Sequence, residues 1–222
     1  QYDSDENEVF NHNDFRIYQR AGIDVAPSTQ ALLEYGYNNI SYSDVDGRDG
    51  DANQVMGGVR GLLGDRVSYQ AWGGAQYRIY DEDSRPDFNG FVARAAVQYD
   101  LAEQSHIVAR FNRDPQESTF DGQSFYVRNK GSLGWTQQLA ERLFLQTRGS
   151  YSRNEYSRIT VLGGQNDTRR DNVWEAAVGL EYLMANDIVA LYGGYRYVSR
   201  DSNLTGFDFN DNIVDFGVKA AF

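Results

Sequence analysis

The chain has 222 residues, with 21 Lys and Arg against 32 Asp and Glu, a formal net charge of -11 and no Cys. No run of 18 apolar residues occurs, which excludes a transmembrane helix. The missing Cys excludes a disulfide framework and thiolate metal sites, and the acidic balance argues against general nucleic-acid binding.

Mean hydropathy is -0.63, as in an acidic soluble protein. The aromatic content of 14%, the 22 Gly and the three Pro point instead to an all-β chain. Tyr, Phe, Val and Leu recur too closely for disorder. No charged-then-apolar leader opens the sequence, so a processed chain is expected.

Residues 1–14 are acidic and carry little pattern. From residue 15 the apolar residues alternate with period two, the signature of strands with one apolar face. Eleven segments are predicted: 15–25, 30–43, 54–63, 67–80, 89–100, 105–113, 123–136, 143–154, 171–183, 188–199 and 212–222. In the last, Val214, Phe216, Val218, Ala220 and Phe222 share one face, and Asp215, Gly217, Lys219 and Ala221 the other. Trp174, Ala176, Val178, Leu180 and Tyr182 alternate in the same way with Glu175, Ala177, Gly179 and Glu181.

The connections alternate in length. Short ones lie at 26–29, 64–65, 101–104, 138–142 and 184–187; long ones, rich in Asp, Asn, Ser and Gly, centre on 44–53, 81–88, 114–122, 155–170 and 200–211. Short-long rotation with ten-residue strands is the layout of an antiparallel transmembrane β-barrel with tight periplasmic turns and long external loops. A soluble sandwich has no reason to sort its connections this way. Tyr35, Tyr37, Tyr69, Tyr77, Tyr99, Trp135, Trp174 and Tyr182 fall at strand ends, where interfacial aromatic girdles form.

Parity adds a constraint. If the last strand ends at the periplasmic rim, the strand from Phe15 starts at the external rim and residues 1–14 form an external loop before a barrel domain at 15–222. An odd strand count with an external N-terminus is unusual for a complete bacterial barrel. The chain then holds eleven to twelve strands, with a further one in Tyr2–Phe10, or is the C-terminal part of a larger barrel, the reading favoured here.

Alternation also assigns charges. With the apolar face toward lipid, the lumen receives Arg16, Arg20, Arg60, Arg78, Arg94, Arg110, Arg128, Lys130, Arg148, Arg196 and Lys219, against Asp24, Glu34, Glu175, Glu181 and Asp215. Eleven cations against five carboxylates give +6, opposite in sign to the chain. Cationic rings in a pore attract anions and hold carboxylates or phosphates by forked hydrogen bonds. Tyr18, Trp72 and Tyr192 point the same way and can stack on sugar faces, which suits an acidic saccharide. Alternatively, the arginines pair with neighbouring carboxylates and only stiffen the wall.

The loop carrying Asp44, Asp46, Asp49 and Asp51 has Ca²⁺-like spacing but lacks the downstream Glu of an EF-hand, so a solvated acidic loop is favoured and no cofactor is expected. His12 and His106 fall at opposite rims, and no Ser-His-Asp set assembles, so an enzyme is not expected.

The segment Arg113-Asp-Pro-Gln-Glu-Ser-Thr-Phe-Asp-Gly-Gln-Ser-Phe-Tyr126 resembles the strand-loop-strand signature of the putative β-barrel porin 2 family of outer-membrane proteins. Tyr195-Arg-Tyr-Val-Ser-Arg-Asp-Ser-Asn203, followed by Phe207-Asp-Phe-Asn210, resembles that family's C-terminal hairpin. The resemblance implies a porin or channel in a Gram-negative outer membrane, beside exopolysaccharide systems, with lipid and lipopolysaccharide as surroundings and polysaccharide as a candidate cargo. The terminal Phe222 resembles the ending read by the barrel-assembly machinery. A partner chain or an oligomer stays open, as does a non-conducting barrel that presents acidic loops to a partner or matrix.

Overall fold

The structure is a computed structural model and describes residues 12–42, 49–82, 85–118, 125–162, 165–184 and 188–220. Residues 1–11, Asp44, Asp46 and Phe222, all singled out above, lie outside the described residues.

The described residues form eleven strands and no helix. These are β1 His12–Ala26, β2 Thr29–Tyr42, β3 Gly50–Leu63, β4 Val67–Tyr80, β5 Phe88–Ala102, β6 Ser105–Glu117, β7 Phe125–Ala140, β8 Leu143–Leu162, β9 Gln165–Leu183, β10 Val189–Ser202 and β11 Phe209–Ala220. They make one antiparallel sheet in which each strand pairs with its neighbours in sequence. This is the antiparallel barrel wall that the alternation implies.

The strands are longer than the predicted segments, mostly at their external ends. Residues 12–14, expected in the external segment, open β1. β8 and β9 run to Leu162 and from Gln165, well past the predicted limits of 154 and 171. Above the membrane neither face of an arm has to be apolar, so the ladder continues while the apolar alternation that reports it stops. At the opposite rim the turns are tight. Register shifts sit just before three of them, at Asp24/Ala26, Asp100/Ala102 and Gln138/Ala140. Gly64 opens the β3–β4 turn at φ 62, a left-handed conformation that Gly adopts without a Cβ clash.

The burial pattern is inverted relative to a soluble protein. Large apolar side chains on one face stand exposed, among them Ile23, Leu33, Val59, Phe91, Leu133, Trp174, Leu180 and Phe216, the last 86% exposed. A contiguous apolar surface of that extent is a lipid- or partner-facing surface. The other face is concave. Glu34 on β2 meets Arg94 on β5 at 2.7 Å, although three strand spacings separate them, about 14 Å in a flat sheet. Arg20 on β1 lies 4.8 Å from the Trp72 ring on β4. Only a strongly curled sheet brings these side chains together.

Between the aromatic girdles the convex face carries Ala, Val, Leu, Ile, Phe, Gly and Thr, with Gln19 on β1, and, among the described residues, no charge. Its external girdle has a recurring contact. A Tyr hydroxyl donates to an Asn or Asp on the next strand, one diagonal step nearer the external rim. The pairs are Tyr35–Asn53, Tyr37–Asp51, Tyr151–Asn172, Tyr195–Asn212 and Tyr197–Asn210, at 2.6–3.2 Å. Diagonal neighbours on one sheet face are within reach of an aromatic side chain. At the periplasmic girdle the Tyr69 hydroxyl meets Thr29 at 3.0 Å and the Trp135 indole donates to Ser105 at 3.0 Å. Tyr77 lies eight residues beyond Tyr69 along a tilted strand, a vertical span of roughly 20 Å.

Candidate functional site

The concave face is the candidate site, because it gathers the charged residues and the cavities. Strand register places Arg16, Arg20, Arg60, Arg78, Arg94, Arg110, Arg128, Lys130, Arg148, Arg196 and Lys219 on it. It also carries Arg169 and Arg200, and the carboxylates Asp14, Asp100, Asp114, Asp171 and Asp211, which sequence reading did not assign. The positive excess is therefore smaller than the eleven-to-five count.

Most of the cations are engaged. Arg20 and Arg94 both donate to the Glu34 carboxylate, at 2.5 and 2.7 Å, and Gln54 adds a third donor at 3.3 Å. Glu34 is 1% exposed, so these donors replace the water it has lost. Both guanidinium groups also lie against Trp72, at 4.8 and 4.7 Å from the ring centroid. Arg78 pairs with Glu117 at the external end of β6, and Tyr80 donates to the same carboxylate at 3.1 Å. Arg16 pairs with Asp14, and Arg128 with Asp114 at 3.4 Å. Glu175 faces Lys130 at 3.6 Å and Arg196 at 3.9 Å, and Lys219 meets Glu181 at 2.6 Å. Arg60 donates to Gln30, which donates on to Asp24. Arg110 and Arg148 have neither a hydrogen bond nor an ion pair among the described residues.

A separate cluster stands at the external rim. Arg169 makes a forked contact with the fully buried Asp171, at 2.6–3.1 Å. Its guanidinium lies 3.7 Å from the Phe207 ring centroid and 4.4 Å from that of Tyr156. The β10–β11 loop is tied onto β9 here: Asn203 accepts from the Arg170 amide, and Leu204 beside it is 1% exposed.

The inward aromatics differ from expectation. Trp72 is only 5% exposed, so no face is left for a sugar to stack on. It lies over Gly58, where a Cβ would come within 2.5 Å of the indole. Tyr18 lies over Gly36 and Tyr192 over Gly217 in the same manner. Each ring therefore lies along the wall rather than projecting from it. Lys219 sits 4.8 Å from the Tyr192 ring centroid, while Tyr18 remains exposed. A second difference is an apolar knot on the concave side of β2–β7, formed by Leu32, Met56, Trp72, Tyr80, Phe88, Val92 and Phe125. Phe125 stacks on Tyr80 at 6.3 Å and meets Phe88 edge-on at 5.5 Å. The knot shields the Glu34 cluster and fills that half of the lumen.

Of the proposed Ca²⁺ loop, Asp49 and Asp51 are described. Asp51 accepts from Tyr37 and Asn39, and Asp49 accepts from the Tyr42 amide. These are ordinary loop and girdle contacts. His106 lies near the periplasmic end of β6, opposite Asp100 in the register.

The β6–β11 half is open. A cavity of about 660 Å³ is lined by His106, Arg110, Arg148, Glu175, Tyr192, Arg196, Asp215 and Lys219, with Gly134, Ala177, Gly179 and Gly194 as its floor. A second cavity, of about 580 Å³, lies at the periplasmic mouth and shares Arg110. A third, of about 160 Å³, opens externally beside Arg16, Tyr18 and Arg78.

The chain that forms this curled sheet, apolar convex face and charged hollow matches one family model, Putative beta-barrel porin 2, over residues 6–222. The chain belongs to that family. No curated protein matches it by sequence. Among solved structures it is similar to the outer membrane channel DcaP of Acinetobacter baumannii, at 15% identity and TM-score 0.62, covering 92% of this chain and 62% of that one. It is also similar to a loop-deletion mutant of OmpT, an outer membrane protein of Vibrio cholerae, at 15% identity and TM-score 0.51, again covering 92% and 62%. The NanC porin aligns at 12% identity and TM-score 0.47, over 95% of this chain and 98% of that one. The first two likenesses show the fold, an outer-membrane β-barrel. This chain spans less than two thirds of the length of either of those two barrels. As a member of this porin family the protein is a bacterial outer-membrane β-barrel.

Proposed function

We propose that this porin-family barrel is a channel of a Gram-negative outer membrane that passes polar solutes and prefers anions, acidic saccharides foremost, consistent with a role in surface or exopolysaccharide traffic. The observation that carries this reading is the open, charged hollow along β6–β11, continuous in its lining from Arg196 to Arg110 and on to the periplasmic mouth. A hydrated, cation-bearing lumen inside an apolar wall is what a passage for polar anions requires. The residues act by binding and orienting carboxylates through forked hydrogen bonds and not by covalent chemistry.

Planar-bilayer recording of the reconstituted protein tests this. A stable conductance with an anion-selective reversal potential is expected, and the selectivity shrinks as salt rises and screening shortens. Absence of conductance, or cation selectivity, rejects it. The apolar knot and the Glu34 cluster favour one alternative, a non-conducting barrel that presents its external loops to a partner. A closed record together with a co-purifying chain would favour that alternative.

A further inference from the structure

The concave cations fall into two kinds. Arg16, Arg20, Arg78, Arg94, Arg128, Lys130, Arg169, Arg196, Arg200 and Lys219 each face a carboxylate within 4 Å, with Glu34, Asp171 and Glu175 each serving two of them. Arg60, Arg110 and Arg148 do not; Arg60 is held by Gln30 at the periplasmic mouth, whereas Arg110 and Arg148 have neither an ion pair nor a side-chain hydrogen bond among the described residues. Both are exposed within the hollow, and each lies five residues from the periplasmic end of its strand. Between them runs β7, where Arg110 registers with Ser132 and Arg148 with Gly134. That offset puts their Cα atoms roughly 12 Å apart, a span two extended guanidinium side chains can close on one anion. A Cβ built on Gly134 would have only two neighbours, both backbone carbonyls, at 3.6 and 4.0 Å, so the space between the arginines is open.

The charge of the cavity lining sets the charge of its ligand. Arg110, Arg148, Arg196 and Lys219 face Glu175, Glu181 and Asp215, which leaves one positive charge uncompensated. One carboxylate balances it; a phosphate dianion over-compensates it. A volume of about 660 Å³ is in the range of small-molecule sites, so the carboxylate can arrive on a larger polar body. We propose that Arg110 and Arg148 form a binding subsite for a monoanionic, carboxylate-bearing sugar in the periplasmic half of the lumen, and that these two residues, rather than the whole cationic set, give the channel its anion preference. The proposal takes its access route from the channel reading above.

The test uses the full chain reconstituted in planar bilayers, with glucuronate, glucose and inorganic phosphate as probes. Glucuronate added on the periplasmic side is expected to reduce the current saturably, while glucose does so weakly. Arg110→Gln and Arg148→Gln are each expected to weaken the glucuronate effect about tenfold and to lower anion selectivity. Arg153→Gln, on the convex face of the β8 arm, leaves both unchanged. Unaltered block in both Gln variants, or phosphate blocking as well as glucuronate, overturns the subsite while the channel reading stands. If no current is seen at all, the channel reading fails, and calorimetric titration of glucuronate onto the detergent-solubilised protein decides the subsite. Binding that disappears in the double variant sustains it, and no binding to the unmodified protein rejects it.

Discussion

At the scale of single residues, Glu34 holds the most consequential position. One buried carboxylate keeps two guanidinium groups beside each other and both against Trp72. Removing it leaves two cations facing each other in a half-buried site. Breaking a fully buried pair costs about 3–5 kcal/mol, but Arg20 is 49% exposed and water screens it. Glu34→Ala should therefore lower the unfolding free energy by about 2 kcal/mol, read from urea titration in lipid vesicles. An unchanged midpoint would show that the cluster does not brace the wall. Alternation alone made the inward direction of Arg20, Glu34, Trp72 and Arg94 legible, because each shares parity with its strand's polar face. Their meeting was not legible, since they sit on β1, β2, β4 and β5 and only the curl of the sheet joins them. The same gap led the sequence to offer Trp72 as a sugar platform, although two arginines already cover it.

At the scale of strands, the two faces make opposite demands, and two neighbours on β9 test them. Val178 lies on the convex face midway between Trp174 and Tyr182, and Ala177 lines the hollow. Val178→Arg places a charge near the bilayer midplane and should cost about 2–4 kcal/mol. Ala177→Arg places it in water and should cost under about 1 kcal/mol. Unfolding from vesicles separates them, and equal losses would reject the face assignment. The diagonal girdle pairs give a second test. In a double-mutant cycle, Tyr195→Phe and Asn212→Ala should couple by about 1 kcal/mol, and additivity would mean that the hydroxyl prefers water or headgroups. The girdle positions were legible as aromatics at strand ends. Their partners were not, because an Asn on the next strand becomes a neighbour only once the register is known. The outer arms of β8 and β9 were missed for a related reason: residues 165–170 of β9 include no apolar residue, and in β8 a register shift between Glu155 and Ile159 interrupts the period. Asp171 and Arg169 went unassigned with them.

At the scale of the whole molecule, the wall is built from nearest-neighbour hairpins, and its lumen is divided. An apolar knot and a bound carboxylate occupy the β2–β5 side, and an open hollow lines β6–β11. With eleven strands in strict meander order, β1 and β11 run in the same direction. Antiparallel closure between them takes an odd number of further strands, and direct contact takes a parallel seam. The strand-by-strand layout could be read from the sequence because connection length and period two are local. The division of the lumen could not, because Leu32, Met56 and Val92 share parity with polar neighbours, and apolar residues on that face break the pattern without announcing a knot. The tyrosine diagonals have a consequence for the membrane itself. Because five hydroxyls at the external girdle are tied to an adjacent strand and all lean toward the outer rim, that girdle is a rigid collar. At the opposite girdle Tyr69 and Trp135 are held by Thr29 and Ser105, while Tyr99 and Tyr182 have no such tether among the described residues. When the bilayer thins or thickens, the outer headgroup plane should then stay in register with the same ring of side chains, and the mismatch should fall first on the untethered rings of the periplasmic leaflet.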